Sequence, residues 1–294
     1  LGQNGVKTIE ELARVKSTVS EAVKPAGFAV YNADNPMCLS RVDKTDGYVV
    51  LFSKDYNNPL LQKNLKPHHF NVTVRDGKMI IQNHRAEVSS LDLARIPITY
   101  DAKADFNIEN VLAATAACLA LGLDIAQIEQ GLLSFKPSYE QCPGRMNLIS
   151  INGFNVFIDY GHNVDAARAT GEFFRKLKPR RLLRMVSGVG DRSLDETRAY
   201  GKMLAKYTDY TIITDPANRD KQKGITAKLI QQSMLAEGAD PQSIEIILEE
   251  KEAVQRTLSL AKAGDLVVLQ ADDIDMVMDE TLKYKHLFDE VSIA

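Results

Sequence analysis

The apolar residues at the start of the chain recur with a helical period and then gather into short runs. Thr8 and Glu11 form a T-x-x-E capping box, and the apolar positions after it predict a helix that continues to about residue 24. Two short apolar runs follow, at residues 28–31 and 48–52, and each is bounded by turn-forming residues. This pattern predicts one helix and two strands.

An antiparallel insert is predicted between residues 70 and 81. Residues 70–74 alternate with the period of a strand, and Asp76-Gly77 is a strong signal for a hairpin turn. Helical patterns return after the insert, in an alanine-rich stretch at 107–121 and in a second helix that Asp124 caps. We therefore expect the insert at one edge of a larger α/β domain.

Strands and helices alternate along the second half of the chain. The predicted strands are 154–158, 182–186, 211–214, 244–247 and 266–270, and the predicted helices are 164–176, 194–206, 225–236, 250–262 and 275–284. Alternation at this spacing predicts βαβ units and a mainly parallel sheet, whose ligands bind beyond the carboxyl ends of the strands. The polar or glycine-rich segments after four strands should converge on one site: Asp159, 188–192, 215–219 and 271–273.

Length and composition fit a globular protein of two domains. The chain has 294 residues, of which 45% are hydrophobic and 26% charged, and a domain contains roughly 150 residues. Residues 134–146 break the periodicity with two prolines and a glycine. We therefore predict one domain at 1–143 and a second at 144–294.

Charge, apolar runs and cysteines exclude several classes of function. The net charge of −3 gives no case for nucleic-acid binding. No apolar run approaches the about 20 residues that span a bilayer, so no membrane role is predicted. Three cysteines without a C-x-x-C spacing indicate a reducing, cytoplasmic environment. The histidines show no metal-ligand spacing, so we assign them no metal.

The first glycines of the chain resemble a phosphate-binding loop only in part. Such a loop needs a preceding strand and a lysine directly after its last glycine, so that backbone N–H groups and the ammonium meet the same phosphates. Here Val6 separates Gly5 from Lys7, and no strand precedes them. A loop that leads into the capped helix is the favoured interpretation.

Two asparagines one helical turn apart are candidates for binding a purine. Asn107 and Asn110 are three residues apart, which places both amides on one face of the alanine-rich helix. An amide offers a donor and an acceptor together and therefore suits a purine edge. Spacing alone favours the simpler alternative, in which Asn107 only caps the helix.

Charged residues around the predicted domain boundary are candidates for nucleotide contacts. Arg145 lies on the linker, where its planar guanidinium suits phosphoryl oxygens, and an interdomain salt bridge is the alternative. Asp159 ends a strand and could accept hydrogen bonds from ribose hydroxyls, with His162 beside it. In the alternative, this segment is only a turn in which Asn163 caps the next helix.

Two further strand ends carry charges that suit an amino-acid substrate. Arg219 is a candidate receptor for a carboxylate through bidentate pairing. Asp272 and Asp273 could hold a cationic group. Ordinary loop chemistry is an equal alternative for these residues.

Several short segments follow one another in a specific order. They are E-E-L-A-R-V-K-S (10–17), G-F-A-V-Y-N-A-D-N-P (27–36), F-N-I-E-N-V-L-A-A (106–114), P-G-R-M-N (143–147), D-Y-G-H-N (159–163), S-G-V-G-D-R (187–192) and A-G-D-L-V-V-L-Q-A-D-D (263–273). In order and separation they resemble the Mur-ligase-like part of the cyanophycin synthetases, a branch of the Mur ligase family, nearly from end to end. The chain departs from the family pattern at Gly161, where alanine is usual, and around Asp215.

The resemblance implies a fold and an activity. The fold would be part of a central ATPase domain with a small antiparallel insert, followed by a Rossmann-like domain with a mainly parallel sheet. The activity would be ATP-dependent addition of arginine to the β-carboxylates of an aspartate-containing polymer through an acyl phosphate, with Mg²⁺ neutralising the transferring group. The resemblance leaves open a homo-oligomer formed through the full-length enzyme.

The resemblance also implies roles for single residues. Expected at the nucleotide are Asn107 and Asn110 (adenine), Asp159 (ribose), His162 and Arg145 (phosphate). Expected near the incoming amino acid are Asp215, Arg219, Asp272 and Asp273. Lys16 falls where several family members carry a carbamylated lysine that supports magnesium, although a surface lysine is the favoured alternative.

Finally, the resemblance predicts that the chain is a piece of a larger enzyme, with the family's phosphate loop expected before Leu1. If that loop supplies three charge-assisted hydrogen bonds of about 1.5–3 kcal/mol each, its absence weakens ATP binding by about 10³–10⁶-fold. We therefore expect a piece that folds but does not turn over alone. The alternatives are another Mur-type ligase, of the peptidoglycan or folylpolyglutamate type, and a non-catalytic module that binds polymer or assembles subunits.

Overall fold

The computed structural model describes residues 5–84, 86–189, 192–217 and 222–291. The chain divides into two compact units, Leu1–Phe135 and Lys136–Ala294. This division falls before the predicted boundary between residues 143 and 144, so the segment after Phe135 belongs to the second unit. Among the described helices, none combines the length and the apolar character that a membrane span requires.

The first unit is built on one sheet. Its strands are β1 Phe28–Asn32, β2 Tyr48–Ser53, β3 Phe70–Arg75, β4 Lys78–Asn83 and β5 Glu87–Asp92. They follow the order β1-β2-β3-β4-β5, with β1 to β3 parallel and β3 to β5 antiparallel. The predicted antiparallel edge is confirmed: Asp76 and Gly77, both with positive φ, close the turn between β3 and β4. The strand β5 was not predicted.

The helices of the first unit are α1 Ile9–Glu21, α2 Pro36–Leu39, α3 Pro59–Lys63, α4 Asp105–Ala120 and α5 Ile125–Ser134. The predicted capping box starts α1, because the Thr8 hydroxyl accepts the N–H of Glu11 and the Glu11 carboxylate accepts the N–H of Thr8. Helix α4 packs on the sheet around Val72 and Leu112, which are fully buried. Small side chains such as Ala116, also fully buried, let this helix lie close to the strands.

The second unit is a mainly parallel sheet, as predicted. Its strands are β6 Asn147–Ile151, β7 Phe154–Asp159, β8 Leu182–Val189, β9 Tyr210–Ala217, β10 Ile244–Ile246 and β11 Leu266–Gln270. They follow the order β10-β9-β8-β11-β7-β6, and every neighbouring pair is parallel except β6 with β7. The strand β6 was missed, although Asn152-Gly153, which turns the chain from β6 into β7, is a strong hairpin signal.

Helices cover both faces of this sheet. They are α6 Val164–Lys176, α7 Leu194–Tyr207, α8 Ile225–Ala236, α9 Glu250–Leu260 and α10 Ile274–Val291. On one face Val186 packs with Tyr200 of α7 and Ile230 of α8. On the other face Met185 packs with Val254 of α9. Successive residues of β8 therefore enter different cores, as the period of a strand requires.

A buried carboxylate at the start of β11 joins neighbouring segments. The fully buried side chain of Asp265 accepts hydrogen bonds from Arg180 at 2.9 Å and from Arg181 at 2.6 Å, and from the N–H of Lys262 at 3.0 Å. Burial alone would raise the pKa of Asp265, but the hydrogen bonds from Arg181 and Arg180 more than offset it and hold that pKa below its usual range. The ionised form of Asp265 is therefore the one that these contacts favour.

We expect Asp265→Asn to destabilise the fold at neutral pH by about 2–3 kcal/mol, less than the about 3–5 kcal/mol for breaking a fully buried ion pair, because both arginines are partly exposed. Since the folded-state pKa is lowered, the contribution of Asp265 is present above the unfolded value of about 3.9 and is lost as the pH falls through the folded value. Urea denaturation over a pH series measures the difference between variant and wild type.

The matched control is Asp195→Asn, because that carboxylate pairs with Arg198 on the surface and should contribute little. The free energies of unfolding of wild type and Asp265→Asn should differ at neutral pH and converge in acid. A difference that stays constant across the pH series would contradict the ion-pair account.

Candidate functional site

The carboxyl ends of the parallel strands form one edge of the sheet in the second unit. Asp159 ends β7 and lies in register with Gln270, which ends β11. The N–H of Ala271 donates to the carbonyl oxygen of Asp159 at 3.1 Å, so the segments after these strands leave side by side. Strand β8 pairs with the other side of β11, and β9 pairs with β8. The sheet order thus brings the carboxyl ends of β7, β8, β9 and β11 to the same edge.

Backbone donors hold both carboxylate oxygens of Asp159. Oδ1 accepts the N–H of Gly161 at 2.7 Å, and Oδ2 accepts the N–H of Met146 at 3.1 Å. Burial raises the pKa of Asp159, while these donors and the charges of Arg184 and Arg145 oppose the rise. The orientation of this half-buried carboxylate is therefore fixed, and its remaining lone pairs are suited to accept hydrogen bonds from hydroxyl groups.

Arg145 projects from a segment that is pinned beside Asp159. The carbonyl oxygen of Gly144 accepts the N–H of Tyr160 at 2.9 Å. Gly144 has a φ of +68°, and a Cβ at this position would collide with Ile274, so the close approach requires glycine. The guanidinium of Arg145 is exposed and lies 5.6 Å from the centre of the Tyr160 ring. A fixed backbone thus carries a cation that solvent and ligands can reach.

His162 and Arg192 border a cavity of about 250 Å³. Nδ1 of His162 lies 2.9 Å from the carbonyl oxygen of Tyr160 and must donate, which leaves Nε2 as the acceptor for Nη2 of Arg192 at 3.2 Å. The cavity is lined by His162, Asn163, Val164, Asp165, Ser187, Arg192, Glu196, Thr197, Tyr200 and Ile230. One guanidinium and two carboxylates around a small cavity suit a zwitterion of the size of an amino acid.

A buried arginine beneath this edge was not predicted. Arg184 is 3% exposed, and its Nη2 donates to the hydroxyl of Thr170 at 2.8 Å. Its Nε and Nη1 are buried without a hydrogen-bond partner among the described residues. Burial lowers the pKa of Arg184 and raises the pKa of Tyr200, whose hydroxyl donates to Gln270, to about 12. The sequence signal for these buried polar residues was Arg184 itself, an arginine inside the apolar strand β8.

Asp215 supports the backbone and is not exposed to a substrate. Its side chain is fully buried, and its Oδ2 accepts the N–H of Gly224, the residue that precedes α8, at 2.8 Å. The substrate contact predicted for Asp215 stays a prediction, and it would require a rearrangement that exposes this carboxylate. Arg219, its predicted companion, lies outside the described residues.

The two acids after β11 have different surroundings. Oδ1 of Asp273 accepts the N–H of Met276 at 3.0 Å and so caps α10. Asp272 is exposed, and its carboxylate makes no hydrogen bond or ion pair with any residue in the described ranges. Cation binding therefore stays a prediction for both residues. At Asp273 the carboxylate already caps α10, so only part of it is left for a cation.

In the first unit, Asn107 and Asn110 lie on one face of α4. Nδ2 of Asn107 donates to the carbonyl oxygen of Ile98 at 2.8 Å, and its Oδ1 accepts Nδ2 of Asn110 at 3.1 Å. The capping alternative for Asn107 is wrong, because α4 begins at Asp105 with Ala104 at the N-cap. Asn107 is buried and engaged at both ends of its amide, so it orients the exposed Asn110, whose carbonyl oxygen and second amide hydrogen are available to a ligand.

Lys16 is an exposed residue of α1 and borders a largely apolar groove of about 630 Å³ beside β1. This setting is typical of a surface lysine. In the part of the chain that the structure describes, no group of three or more His, Cys, Asp or Glu side chains could hold a metal ion.

Comparison with known proteins identifies the family. Residues 4–118 match the Mur ligase middle domain, and residues 144–272 match the glutamate ligase domain of Mur ligases. The chain belongs to the Mur ligase family. Its two units correspond to the two matched Mur ligase domains.

The curated relatives of this Mur ligase chain are longer than the chain itself. Cyanophycin synthetase from Geminocystis herdmanii is 34% identical over 291 residues, which cover 99% of this chain and 33% of the relative. The same enzyme from Crocosphaera subtropica is 34% identical over 93% of this chain and 31% of the relative. A UDP-N-acetylmuramoyl-L-alanyl-D-glutamate–L-lysine ligase from Enterococcus faecalis is 30% identical over 58% of this chain and 33% of the relative. The chain thus spans about a third of their length.

Solved structures of other proteins share the fold. FolC from E. coli, solved with DHPP and ADP, has a TM-score of 0.64 at 16% identity and covers 95% of this chain and 58% of FolC. MurF from Acinetobacter baumannii has a TM-score of 0.63 at 17% identity and covers 93% of this chain and 55% of MurF. These likenesses confirm the predicted α/β fold.

We expect Arg184→Met to raise the pKa of the Asp159 carboxyl further, because the positive charge of Arg184 is one of the influences that lower it. Carboxyl chemical shifts followed by NMR over a pH series measure this pKa. The matched control is Arg198→Met, which removes an exposed guanidinium on α7 and should leave Asp159 unchanged. An unaltered titration of Asp159 in the Arg184 variant would contradict the coupling.

Proposed function

We propose that this chain is the Mur ligase part of an ATP-dependent acid–amino acid ligase that adds arginine to aspartyl β-carboxylates. The observation that carries the proposal is the 34% identity to a cyanophycin synthetase over 99% of the chain. In the proposed reaction the γ-phosphoryl group of ATP passes to the β-carboxylate, giving an acyl phosphate and ADP. The arginine α-amine then attacks the acyl carbon, loses a proton and displaces phosphate, which completes the amide.

The proposed nucleotide contacts have matching chemistry. Asp159 would accept hydrogen bonds from the ribose hydroxyls, since two N–H donors already fix its carboxylate. The exposed guanidinium of Arg145 would meet phosphoryl oxygens, for which its planar fork is suited. Asn110, oriented by Asn107, would meet the adenine edge, and His162 would lie beside the nucleotide.

The incoming amino acid has two charged groups to satisfy. Arg192, at the wall of the cavity beside His162, would pair with the α-carboxylate, and Arg219 keeps the same role as an alternative. Asp272 would pair with the cationic side chain, because it is exposed and its carboxylate is not engaged with other described residues. A guanidinium and a carboxylate on the ligand are thus matched by opposite charges on the protein.

Isothermal titration calorimetry with arginine, lysine and β-aspartyl-arginine, in the presence of ATP, tests the substrate class. We expect arginine or the dipeptide to bind. Asp272→Asn should weaken this binding about tenfold, because a charge-assisted hydrogen bond worth about 1.5–3 kcal/mol is replaced by a neutral one. Asp279→Asn, an exposed acid on α10, is the matched control and should leave the affinity unchanged.

A preference for lysine over arginine would contradict the proposed substrate and would favour a ligase of the peptidoglycan type. Binding of the aspartate-arginine polymer that does not depend on ATP would favour a non-catalytic module. In either case Asp272→Asn should then have no special effect on the affinity for arginine.

We also propose that residues 1–294 alone do not turn over ATP, since the sequence contains no G-x-x-x-x-G-K-[ST] motif to hold the phosphates. Phosphate release in the presence of ATP, arginine and polymer measures this. We expect background rates. A rate within the ordinary enzymatic range, roughly 1 s⁻¹ or more, would contradict this proposal.

A further inference from the structure

A buried glutamate lies directly behind the loop that carries Asp272. Glu250 is the first residue of α9 and is 8% exposed. Its Oε1 accepts the N–H of Asp272 at 2.6 Å, and its Oε2 accepts the N–H of Asp273 at 3.2 Å. One carboxylate thus holds two successive backbone N–H groups from a loop 22 and 23 positions further along the chain.

These bonds continue a hydrogen-bonded row that begins in the sheet. The N–H of Ala271 donates to the carbonyl oxygen of Asp159, and the next two N–H groups donate to Glu250. Three consecutive amides after β11 are therefore tied down, and Asp273 is further fixed because its carboxylate caps α10. A short loop held at each residue keeps the backbone of Asp272 in a fixed position at the edge of the sheet.

The burial of Glu250 indicates that its hydrogen bonds to the N–H groups of Asp272 and Asp273 stabilise the structure. Burial raises the pKa of its carboxyl, the N–H groups of Asp272 and Asp273 oppose the rise, and the charges of those two aspartates add to it. A buried glutamate among like charges is unfavourable unless hydrogen bonds to its carboxylate compensate. The start of α9 gives some compensation, because the amino end of a helix favours negative charge.

We propose that Glu250 is a positioning residue that holds the carboxylate of Asp272 in place for the cationic side chain of the incoming amino acid. The inference rests on the proposed function and adds a residue that does not touch the ligand itself. It also gives the two aspartates separate roles, because Asp273 caps α10 and Asp272 would contact the ligand.

The test compares Glu250→Ala with wild type in two measurements. The first is calorimetric affinity for arginine and for citrulline, which has nearly the same shape but a neutral side chain. We expect Glu250→Ala to weaken arginine binding about tenfold, the effect of losing one charge-assisted contact, and to leave citrulline binding unchanged. The second measurement is hydrogen exchange of the Asp272 and Asp273 amides, which should become faster.

Two further variants make the result specific. Glu252→Ala removes an exposed glutamate on the same helix and should behave as wild type in both measurements. Glu250→Gln keeps one acceptor oxygen, so it should lie between wild type and Glu250→Ala, and it serves as the test variant if the alanine variant fails to fold.

Each outcome bears on the proposal. Faster exchange together with lost discrimination between arginine and citrulline supports it. Unchanged discrimination, with or without faster exchange, overturns the role of Glu250 while leaving the proposed function standing. If wild type binds arginine no better than citrulline, the proposed substrate fails as well, and the exchange data then describe Glu250 as a loop anchor only.

Discussion

The parallel pairing of β7 with β11 is the constraint on which the candidate site depends. It sets Asp159 opposite Gln270, and the hydrogen bond from the N–H of Ala271 to the carbonyl oxygen of Asp159 extends the pairing into the loops. A shift of register by one residue would turn the Asp159 side chain to the opposite face of the sheet. The carboxylate would then lose the N–H groups of Gly161 and Met146, and the neighbouring arginines would face a different layer.

Three carboxylates of the second unit, those of Asp265, Asp159 and Glu250, show two electrostatic arrangements. Asp265 has two guanidinium partners, and its pKa is lowered. Asp159 and Glu250 rely on backbone N–H donors, and their pKa values are raised because these donors do not fully offset burial. The first arrangement is that of a structural anchor. The second lies at the carboxyl edge of the sheet, where perturbed acids are expected in a working site.

Sequence similarity and fold similarity answer different questions about this chain. FolC and MurF share the fold at 16% and 17% identity, so the fold alone does not select a substrate. The cyanophycin synthetases, at 34% identity, align with nearly the whole chain but extend well beyond it. The identity to these relatives therefore carries the substrate proposal, and the guanidinium of Arg192 at the cavity and the exposed carboxylate of Asp272 are compatible with it.

The sequence by itself determined the features that arise between near neighbours in the chain. The capping roles of Thr8, Asp124 and Asn163, the turn at Asp76-Gly77 and the alternation of strands and helices were all predicted, because each depends on side chains within a few positions of one another. The order of segments also predicted the family. The parallel sheet followed from the alternation, since short βαβ connections allow few other arrangements.

Only the tertiary structure decided which charged residues are buried and what they hold. Asp215 and Asp272 are both acids near the carboxyl ends of strands, yet Asp215 lies inside β9 and is fully buried against Gly224, whereas Asp272 follows β11 and is exposed. Glu250 does not stand out in the sequence, and although Arg184 stands out inside an apolar strand, the partners of both residues are brought close only by the sheet and helix packing. Burial and long-range hydrogen bonding are properties of the packed chain, and no local pattern encodes them.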